Sequence, residues 1–283
     1  MIYGLTAALA WGTGDFLAAL SSRRIGLQRT VVVSQLCATL ALAVAGVAFR
    51  ERFATPAPGL LDTAGVGLIL TAAYLFLYRG LQLGPVALVS PLAAASSAVT
   101  VVMAVAILGE ILRWPAEAAL VVILGGVVLA SAPVGPRPRR ARFRQAGTAF
   151  GLGACAALGA FSFCIAVLSR RYGWFPVVFG THVVAATLFC GWFAFRRPSV
   201  PPGLGALSII PAAAIGVLDA VATSAFARGT EVGSVSLVTA VASAFPLVPM
   251  VCGLVILGER PHRTQIAGAV CVVGGLIALG TLV

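Results

Sequence analysis

Long apolar segments recur along the whole chain, separated by short stretches that contain arginine, proline or acidic residues. Each segment has about 17–25 residues, the length that an α-helix needs to cross a hydrocarbon core of about 30 Å. The pattern predicts an all-α integral membrane protein with ten transmembrane helices. The first segment has no basic residue before it and is followed by more spans, which favours a membrane helix over a cleaved signal. The predicted spans lie near residues 2–20, 30–49, 61–79, 85–108, 115–133, 147–168, 175–195, 206–227, 232–257 and 264–283.

The two halves of the chain carry related sequences. Residues 79–110 align with residues 228–259 at an offset of 149 without a gap, and 14 of the 32 aligned positions are identical. An offset of 147 aligns the first predicted span with the sixth. The sequence therefore predicts two five-helix repeats, at 1–134 and 147–283, joined by an Arg/Pro-rich linker at 135–146. Because each repeat has an odd number of spans, the second enters the membrane inverted, an arrangement typical of secondary transporters.

Composition excludes several classes of protein. Hydrophobic residues make up 60% of the chain and charged residues only 10%, whereas a soluble domain has roughly 25% charged residues. The net charge is +11, and all 19 basic residues other than histidine are arginines. These arginines are spread over many short loops, which favours lipid headgroups over nucleic acid as partners. The six cysteines lie inside apolar segments, so no metal site is predicted. We expect a multi-pass protein of the plasma or inner membrane.

Short motifs recur at matching positions in both halves. The segment at 257–261 reads Leu-Gly-Glu-Arg-Pro and is echoed by Leu-Gly-Glu at 108–110, and Gly-Gly pairs follow at 274–275 and 125–126. Together with the opening Ala-Trp-Gly at 10–12, these motifs resemble the EamA repeat of the drug/metabolite transporter superfamily. The resemblance implies a ten-helix exporter or permease for small metabolites, amino acids or drugs, with its cavity between the halves.

Two acidic residues, Asp15 and Asp219, lie inside the first and eighth predicted spans. A carboxylate at the centre of a span costs about 2.5–3.5 kcal/mol on insertion scales, so each should face a cavity or a partner. Their counterparts in the repeat alignment are Ser162 and Leu70, so neither acid is shared by the two repeats. Either acid could bind and release a proton, which leads to a hypothesis of proton-coupled antiport. The alternative is that they only fix helix packing.

Aromatic side chains and a histidine lie near these acids in the predicted spans. Trp11 precedes Asp15 by four positions and shares its helix face, which suits a cationic or amphipathic ligand or simple packing. Tyr74 and Tyr78 share another face, although interfacial anchoring also explains Tyr78. His182 is either a proton relay or a buried histidine satisfied by a hydrogen bond.

Prolines interrupt two spans that correspond in the repeat. Pro91 in the fourth span, and Pro246 and Pro249 in the ninth, remove backbone donors, so both helices should kink or open locally. The alternative is static curvature. The hydroxyl groups near these breaks that are candidates for substrate binding are Ser90, Ser97, Thr239 and Ser243.

Glu110 and Glu259 end their predicted helices, where an acid opposes the negative end of the helix dipole and needs a basic partner. The nearby candidates are Arg113 for Glu110, and Arg260 and Arg263 for Glu259, and we expect a structural or gate-closing role rather than substrate contact. Arg79 and Arg228, which begin the aligned segments, are further candidates for gate or loop ion pairs.

The orientation of the chain stays open. Alternate loops carry 13 and 6 arginines, and the positive-inside rule then places both termini outside, whereas the family resemblance suggests both inside. The oligomeric state, monomer or homodimer, stays open as well.

The sequence favours a secondary transporter, an exporter of small metabolites, amino acids or drug-like amphipathic molecules, working by alternating access with proton coupling as a hypothesis. The expected partners are membrane lipids, a small-molecule substrate and protons, without nucleic acid or a cofactor. Neither a catalytic motif nor a nucleotide-binding loop is evident in the sequence, so an enzyme is not expected. The alternatives are a translocase for lipids or lipid-linked headgroups, and a membrane scaffold that transports nothing.

Overall fold

The computed structural model describes residues 2–108, 114–131, 139–196, 208–233, 235–242, 244–245, 247–258 and 262–282. Within these ranges the chain consists of helices and short turns, and no strand occurs. A short 3-10 helix at Ala57–Gly59 precedes α3. The α-helices are α1 (Ile2–Arg24), α2 (Leu27–Ala48), α3 (Leu60–Leu83), α4 (Val86–Ala94), α5 (Ser96–Leu108), α6 (Trp114–Ser131), α7 (Arg139–Tyr172), α8 (Trp174–Arg196), α9 (Ile210–Val232), α10 (Val235–Ala242), α11 (Leu247–Val255) and α12 (Arg263–Leu282).

Five helical segments in the described ranges are long and apolar enough to cross a membrane. These segments are Leu27–Ala48, Ala57–Leu83, Ala146–Tyr172, Trp174–Arg196 and Ile210–Val232. They confirm a helical protein with several membrane spans. The other predicted spans correspond to α1, α6, α12 and two interrupted helices. The first turns of α7 extend into the predicted linker, since this helix begins at Arg139.

Two predicted spans are each divided into two shorter helices. The fourth span forms α4 and α5, which are separated at Ala95, and the ninth forms α10 and α11. Pro91 lies in α4 and Pro249 lies in α11. Proline supplies no backbone N–H, and an interrupted helix is tolerated at membrane depth where it is buried in protein or lines a cavity. The two interruptions occupy matching places in the halves of the chain.

Contacts between the halves are reciprocal. α1 packs along α9. In the same way α7, the counterpart of α1, packs along α3, the counterpart of α9. α6 and α12, also counterparts, pack against each other. Reciprocal contacts of this kind are what two copies of one helical unit produce when a pseudo-two-fold axis relates them.

Glycines allow α1 and α7 to approach the interrupted helices closely. A Cβ atom added to Gly12 would lie 2.5 Å from the carbonyl oxygen of Phe245, and one added to Gly159 would lie 2.8 Å from that of Ser96. Gly12 and Gly159 are counterparts, and so are Phe245 and Ser96. Small residues at helix crossings provide the close packing on which helix association in lipid depends.

Two arginines hold helix ends together in the same way in both halves. Arg23, at the end of α1, donates hydrogen bonds to the carbonyl oxygens of Leu81 and Gly84 at the end of α3, at 3.2 and 2.7 Å. Arg170, its counterpart at the end of α7, donates to two carbonyl oxygens at the end of α9, at 3.1 and 3.4 Å. These bonds satisfy terminal carbonyls and place a positive charge at the negative end of each helix dipole. The C-terminal ends of α1 and α3 therefore lie side by side, as do those of α7 and α9.

Candidate functional site

A cavity lies where the two halves meet, among α1, α3, α7 and α9 and beside both interrupted helices. It contains about 610 Å³ of empty space, part of which is open to the surroundings. The polar part of the lining consists of both predicted aspartates, a tryptophan, two tyrosines and two serines.

Counterpart residues of the two halves both line this cavity. Asp15 and its counterpart Ser162 both line it, as do Asp219 and its counterpart Leu70. Trp11 and Leu158 form a further such pair. The cavity is therefore lined by both halves of the chain, and among its described lining residues the acids come from α1 and α9.

Asp219, on α9, is the centre of a buried hydrogen-bond network. Asp219 is 5% exposed. The hydroxyl of Tyr74 donates to Oδ2 at 2.5 Å, and Nε2 of His182 lies 3.1 Å from the same oxygen. The indole N–H of Trp11 donates to Oδ1 at 3.3 Å, and the hydroxyl of Thr223 donates to it at 3.4 Å. A carboxylate offers about four acceptor positions, so these four contacts occupy Asp219 fully.

The hydrogen bonds of His182 determine how many protons the histidine and Asp219 share. His182 is completely buried, and its Nδ1 lies 2.9 Å from the carbonyl oxygen of Val178. A carbonyl oxygen only accepts, so Nδ1 carries a hydrogen. A proton must then lie between Nε2 and Oδ2 of Asp219, on one atom or the other. Both arrangements, imidazolium with carboxylate and imidazole with carboxylic acid, give the pair no net charge.

Asp15 also lines this cavity, but its carboxyl group is not fully engaged by hydrogen bonds as that of Asp219 is. Asp15 is 7% exposed, and its Oδ2 has no hydrogen-bond partner among the described residues. A buried polar group without a partner costs free energy, and a buried charge without a counter-charge costs more. Asp15 is therefore the carboxyl group of the cavity that remains available to a ligand.

Aromatic rings form much of the wall beside the carboxyl groups. The ring of Trp11 packs against those of Phe226 and Phe245, with centroids 5.5 and 6.3 Å apart. The rings of Tyr74 and Tyr78 are 5.5 Å apart. Packing and the hydrogen bond to Asp219 together fix the position of Trp11, so its indole presents a rigid surface to the cavity.

Several candidates from the sequence lie elsewhere. Ser90 and Thr239, counterparts in the repeat, are buried with unpaired hydroxyl groups and do not line the cavity, and Ser97 is half-buried outside it. Pro249 is buried in α11. Pro91 is helical, and its side chain is not described. The candidates that lie outside the described residues are Ser243, Pro246, Glu110 and Glu259.

Arg79 and Arg228 contact residues on their own helices. Arg79 donates a hydrogen bond of 2.6 Å to the side-chain oxygen of Gln82. Arg228 forms an ion pair of 2.6 Å with Glu231, which is the counterpart of Gln82. Glu110 and Glu259 lie outside the described residues, as do Arg113 and Arg260, so the predicted pairs of these two acids stay a prediction.

Two buried polar residues, Thr223 and Gln35, were not predicted from the sequence, although a signal for each is present. Thr223 was missed although it follows Asp219 by one helical turn, a spacing that places both side chains on one face. Gln35, buried in α2, is the counterpart of His182 in α8; the repeat alignment contains this signal. In the part of the chain that the structure describes, no three His, Cys, Asp or Glu side chains come together as metal ligands.

Comparison with known proteins identifies two matching segments and a common fold. The model of the EamA-like transporter family matches residues 1–132 and again residues 145–281. Solved structures include 28 matching chains. One of them, described only as "Crystal structure of protein", is 21% identical with a TM-score of 0.73, and the match covers 99% of this chain and 96% of that chain. At this identity the likeness shows the fold alone. No curated protein matches the chain.

Proposed function

The chain belongs to the EamA-like transporter family, and we propose that it is a secondary transporter that carries small molecules through the cavity between its halves. The resemblance predicted from the sequence is confirmed, and the family is one of membrane transporters of small molecules. The observation that carries the proposal is the position of Asp15, a buried carboxyl group with an unpaired oxygen, in a cavity lined by both halves. Alternating access around that cavity is the mechanism we propose.

The directions of α1, α3 and α7 support two inverted repeats. α1 and α3 run in the same direction, because Arg23 joins their C-terminal ends. The C-terminal end of α3 lies against the early part of α7, where a Cβ on Gly84 would be 3.2 Å from the Cα of Gly147. α7 therefore runs opposite to α3, and hence opposite to its own counterpart α1. Inverted halves supply two related conformations that open to opposite sides of the membrane.

Proton coupling follows from the state of Asp15. A proton and a cationic substrate are alternative ways to neutralise one buried carboxylate, so each displaces the other. In a cell membrane whose outer side is more acidic, proton entry through this exchange drives export of the substrate. We propose this direction for the protein in the plasma or inner membrane. Asp219, paired with His182, holds the cavity wall in place.

Flux through proteoliposomes tests the transport proposal. The purified full chain is reconstituted, and counterflow is measured for a panel of radiolabelled amino acids, aromatic amines and nucleosides, with and without a pH gradient. We expect counterflow of at least one compound, accelerated by the gradient in the wild type and not in Asp15→Asn. The matched control is Asp62→Asn, which removes an exposed acid near the start of α3.

Two results would contradict the proposal. Absence of counterflow for every compound would argue against a carrier. Scrambling of fluorescent phospholipids in the same vesicles, without counterflow, would instead support the lipid translocase. A pH-gradient response that persists in Asp15→Asn would remove this residue from coupling and leave transport itself intact.

A further inference from the structure

The two acids of the cavity differ in how much of their binding capacity is already used. Asp219 accepts from Tyr74, Trp11 and Thr223 and shares a proton with His182. A substrate group that approached Asp219 would have to displace one of these contacts. Asp219 and His182 together have no net charge, so they contribute little electrostatic attraction for a charged ligand.

Asp15 is unsatisfied whether or not it carries a proton. As a carboxylate, its Oδ2 accepts from no described residue; as a carboxylic acid, a hydrogen on Oδ2 would find no described acceptor. Buried polar groups in folded proteins are almost always paired. A group that has no partner within the protein and lies on a cavity wall is suited to a partner that the ligand supplies.

The charge of the remaining lining limits what that ligand can be. Among the described residues that line the cavity, none is arginine, lysine or histidine, and Asp15 is the acid without a partner. A carboxylate or phosphate on the ligand would be desolvated there without a cation, at a high cost. A second ammonium group would likewise meet no second free acid.

The rest of the wall favours an apolar or aromatic body. Trp11, Tyr74, Tyr78, Phe161 and Phe245 contribute rings to the lining. Aromatic faces attract a cation electrostatically and provide apolar contact for the remainder of the molecule. The lining therefore combines one acid with several rings.

We propose that Asp15 binds the ammonium group of a monovalent amine with an apolar or aromatic body and no acidic group, while Asp219 with His182 serves as a positioning pair. This inference rests on the proposed function and names the substrate class of that same cavity. Amino acids, which carry a carboxylate beside the ammonium, are excluded from the site by the same reasoning.

Binding of three matched probes to the purified full chain tests the inference. Phenethylamine carries the ammonium, 2-phenylethanol replaces it with a neutral hydroxyl, and phenylalanine adds a carboxylate to it. Titration calorimetry in detergent measures each affinity for the wild type, Asp15→Asn and Asp62→Asn. We expect phenethylamine to bind at least about tenfold more tightly than either analogue. 2-Phenylethanol has no ammonium group to pair with Asp15, and phenylalanine would bury a carboxylate that has no cationic partner. We expect a loss of similar size in Asp15→Asn and no change in Asp62→Asn.

The comparison of the three probes on wild-type protein stands without any variant, so it holds even if Asp15→Asn does not fold. Equal affinity for phenylalanine and phenethylamine overturns the inference, and so does full phenethylamine binding by Asp15→Asn. Failure of phenethylamine, tryptamine and octylamine alike to bind overturns it as well. Asp15-dependent binding of the amine without counterflow of that amine or any other compound leaves the inference standing and contradicts the transport proposal instead.

Discussion

At the scale of single residues, the cavity contrasts a fully paired acid with an unpaired one. Four donors surround Asp219, so its interactions contribute to holding α1, α3, α8 and α9 together. The Oδ2 atom of Asp15 has no such partner. Removing the acidity of the two residues should therefore have opposite consequences for stability.

We expect Asp219→Asn to destabilise the protein and Asp15→Asn to leave its stability unchanged or raise it. An asparagine at 219 places an N–H₂ donor where donors already point, and it leaves His182 without its charged or acidic partner; breaking a buried pair in this way costs about 3 kcal/mol. Asparagine at 15 replaces an unpaired carboxyl group with a neutral amide of similar shape. Apparent melting temperatures of detergent-solubilised variants measure the difference, with Asp62→Asn as the exposed reference. A larger loss for Asp15→Asn than for Asp219→Asn would contradict the assignment of Asp219 as the structural acid.

At the scale of elements, the interrupted helices and the glycines that face them shape the cavity. Ser96 and Phe245 lie at the two interruptions and both line the cavity. α1 passes one interruption at Gly12, and α7 passes the other at Gly159. The backbone atoms at these crossings leave no room for a side chain.

We expect Gly12→Ala to destabilise the protein by about 1–3 kcal/mol, the usual cost of overpacking. The added methyl group would lie 2.5 Å from the Phe245 carbonyl oxygen, a backbone atom that cannot rotate away. The matched control is Gly65→Ala in α3, where an added Cβ meets no atom within 4 Å; there, the better helix propensity of alanine should stabilise by up to about 1 kcal/mol. Melting temperatures of the two variants should therefore shift in opposite directions. Equal tolerance of both substitutions would show that α1 does not pack closely against the interrupted helix.

The sequence predicts the helices and several cavity residues well, for physical reasons. Hydrophobic length marks the spans, and the cost of burying a carboxylate in lipid points to Asp15 and Asp219 as inward-facing. Tyr74 could be placed deeper in the membrane than Tyr78 because it lies one helical turn further from the end of their predicted span. The pairing of Asp219 with His182 could not be predicted, because it depends on the axial register of α8 against α9, which periodicity along one helix does not contain. The unpaired state of Asp15 is likewise a property of its three-dimensional neighbours.

At the scale of the whole molecule, the repeat relation determines what can move. α1 packs against α9 and α3 against α7, and all four helices line the cavity. In the alternating-access mechanism proposed above, an exchange of conformations between the two halves would open the cavity to the other side of the membrane. The turns after α1 and α7 also match, since Gly26 and Gly173 both have positive φ angles, of 86° and 93°, where glycine is favoured. If the halves are inverted, these two matching turns lie on opposite faces of the membrane.

Cysteine labelling at equivalent positions tests this inversion and also determines the orientation of the chain. Arg24 and Arg171 are counterparts beside the two turns, and both are exposed. In a background where the six native cysteines are replaced by alanine, Arg24→Cys and Arg171→Cys are each treated with a membrane-impermeant maleimide in intact cells and again after permeabilisation. We expect one of them to react in intact cells and the other only after permeabilisation. Labelling of Arg24→Cys from outside places the C-terminal end of α1 outside and its N-terminal end inside, as the family resemblance suggests; labelling of Arg171→Cys from outside reverses this and agrees with the arginine count. If both positions react from the same side, the halves are parallel, and a carrier that alternates by exchanging inverted halves is ruled out.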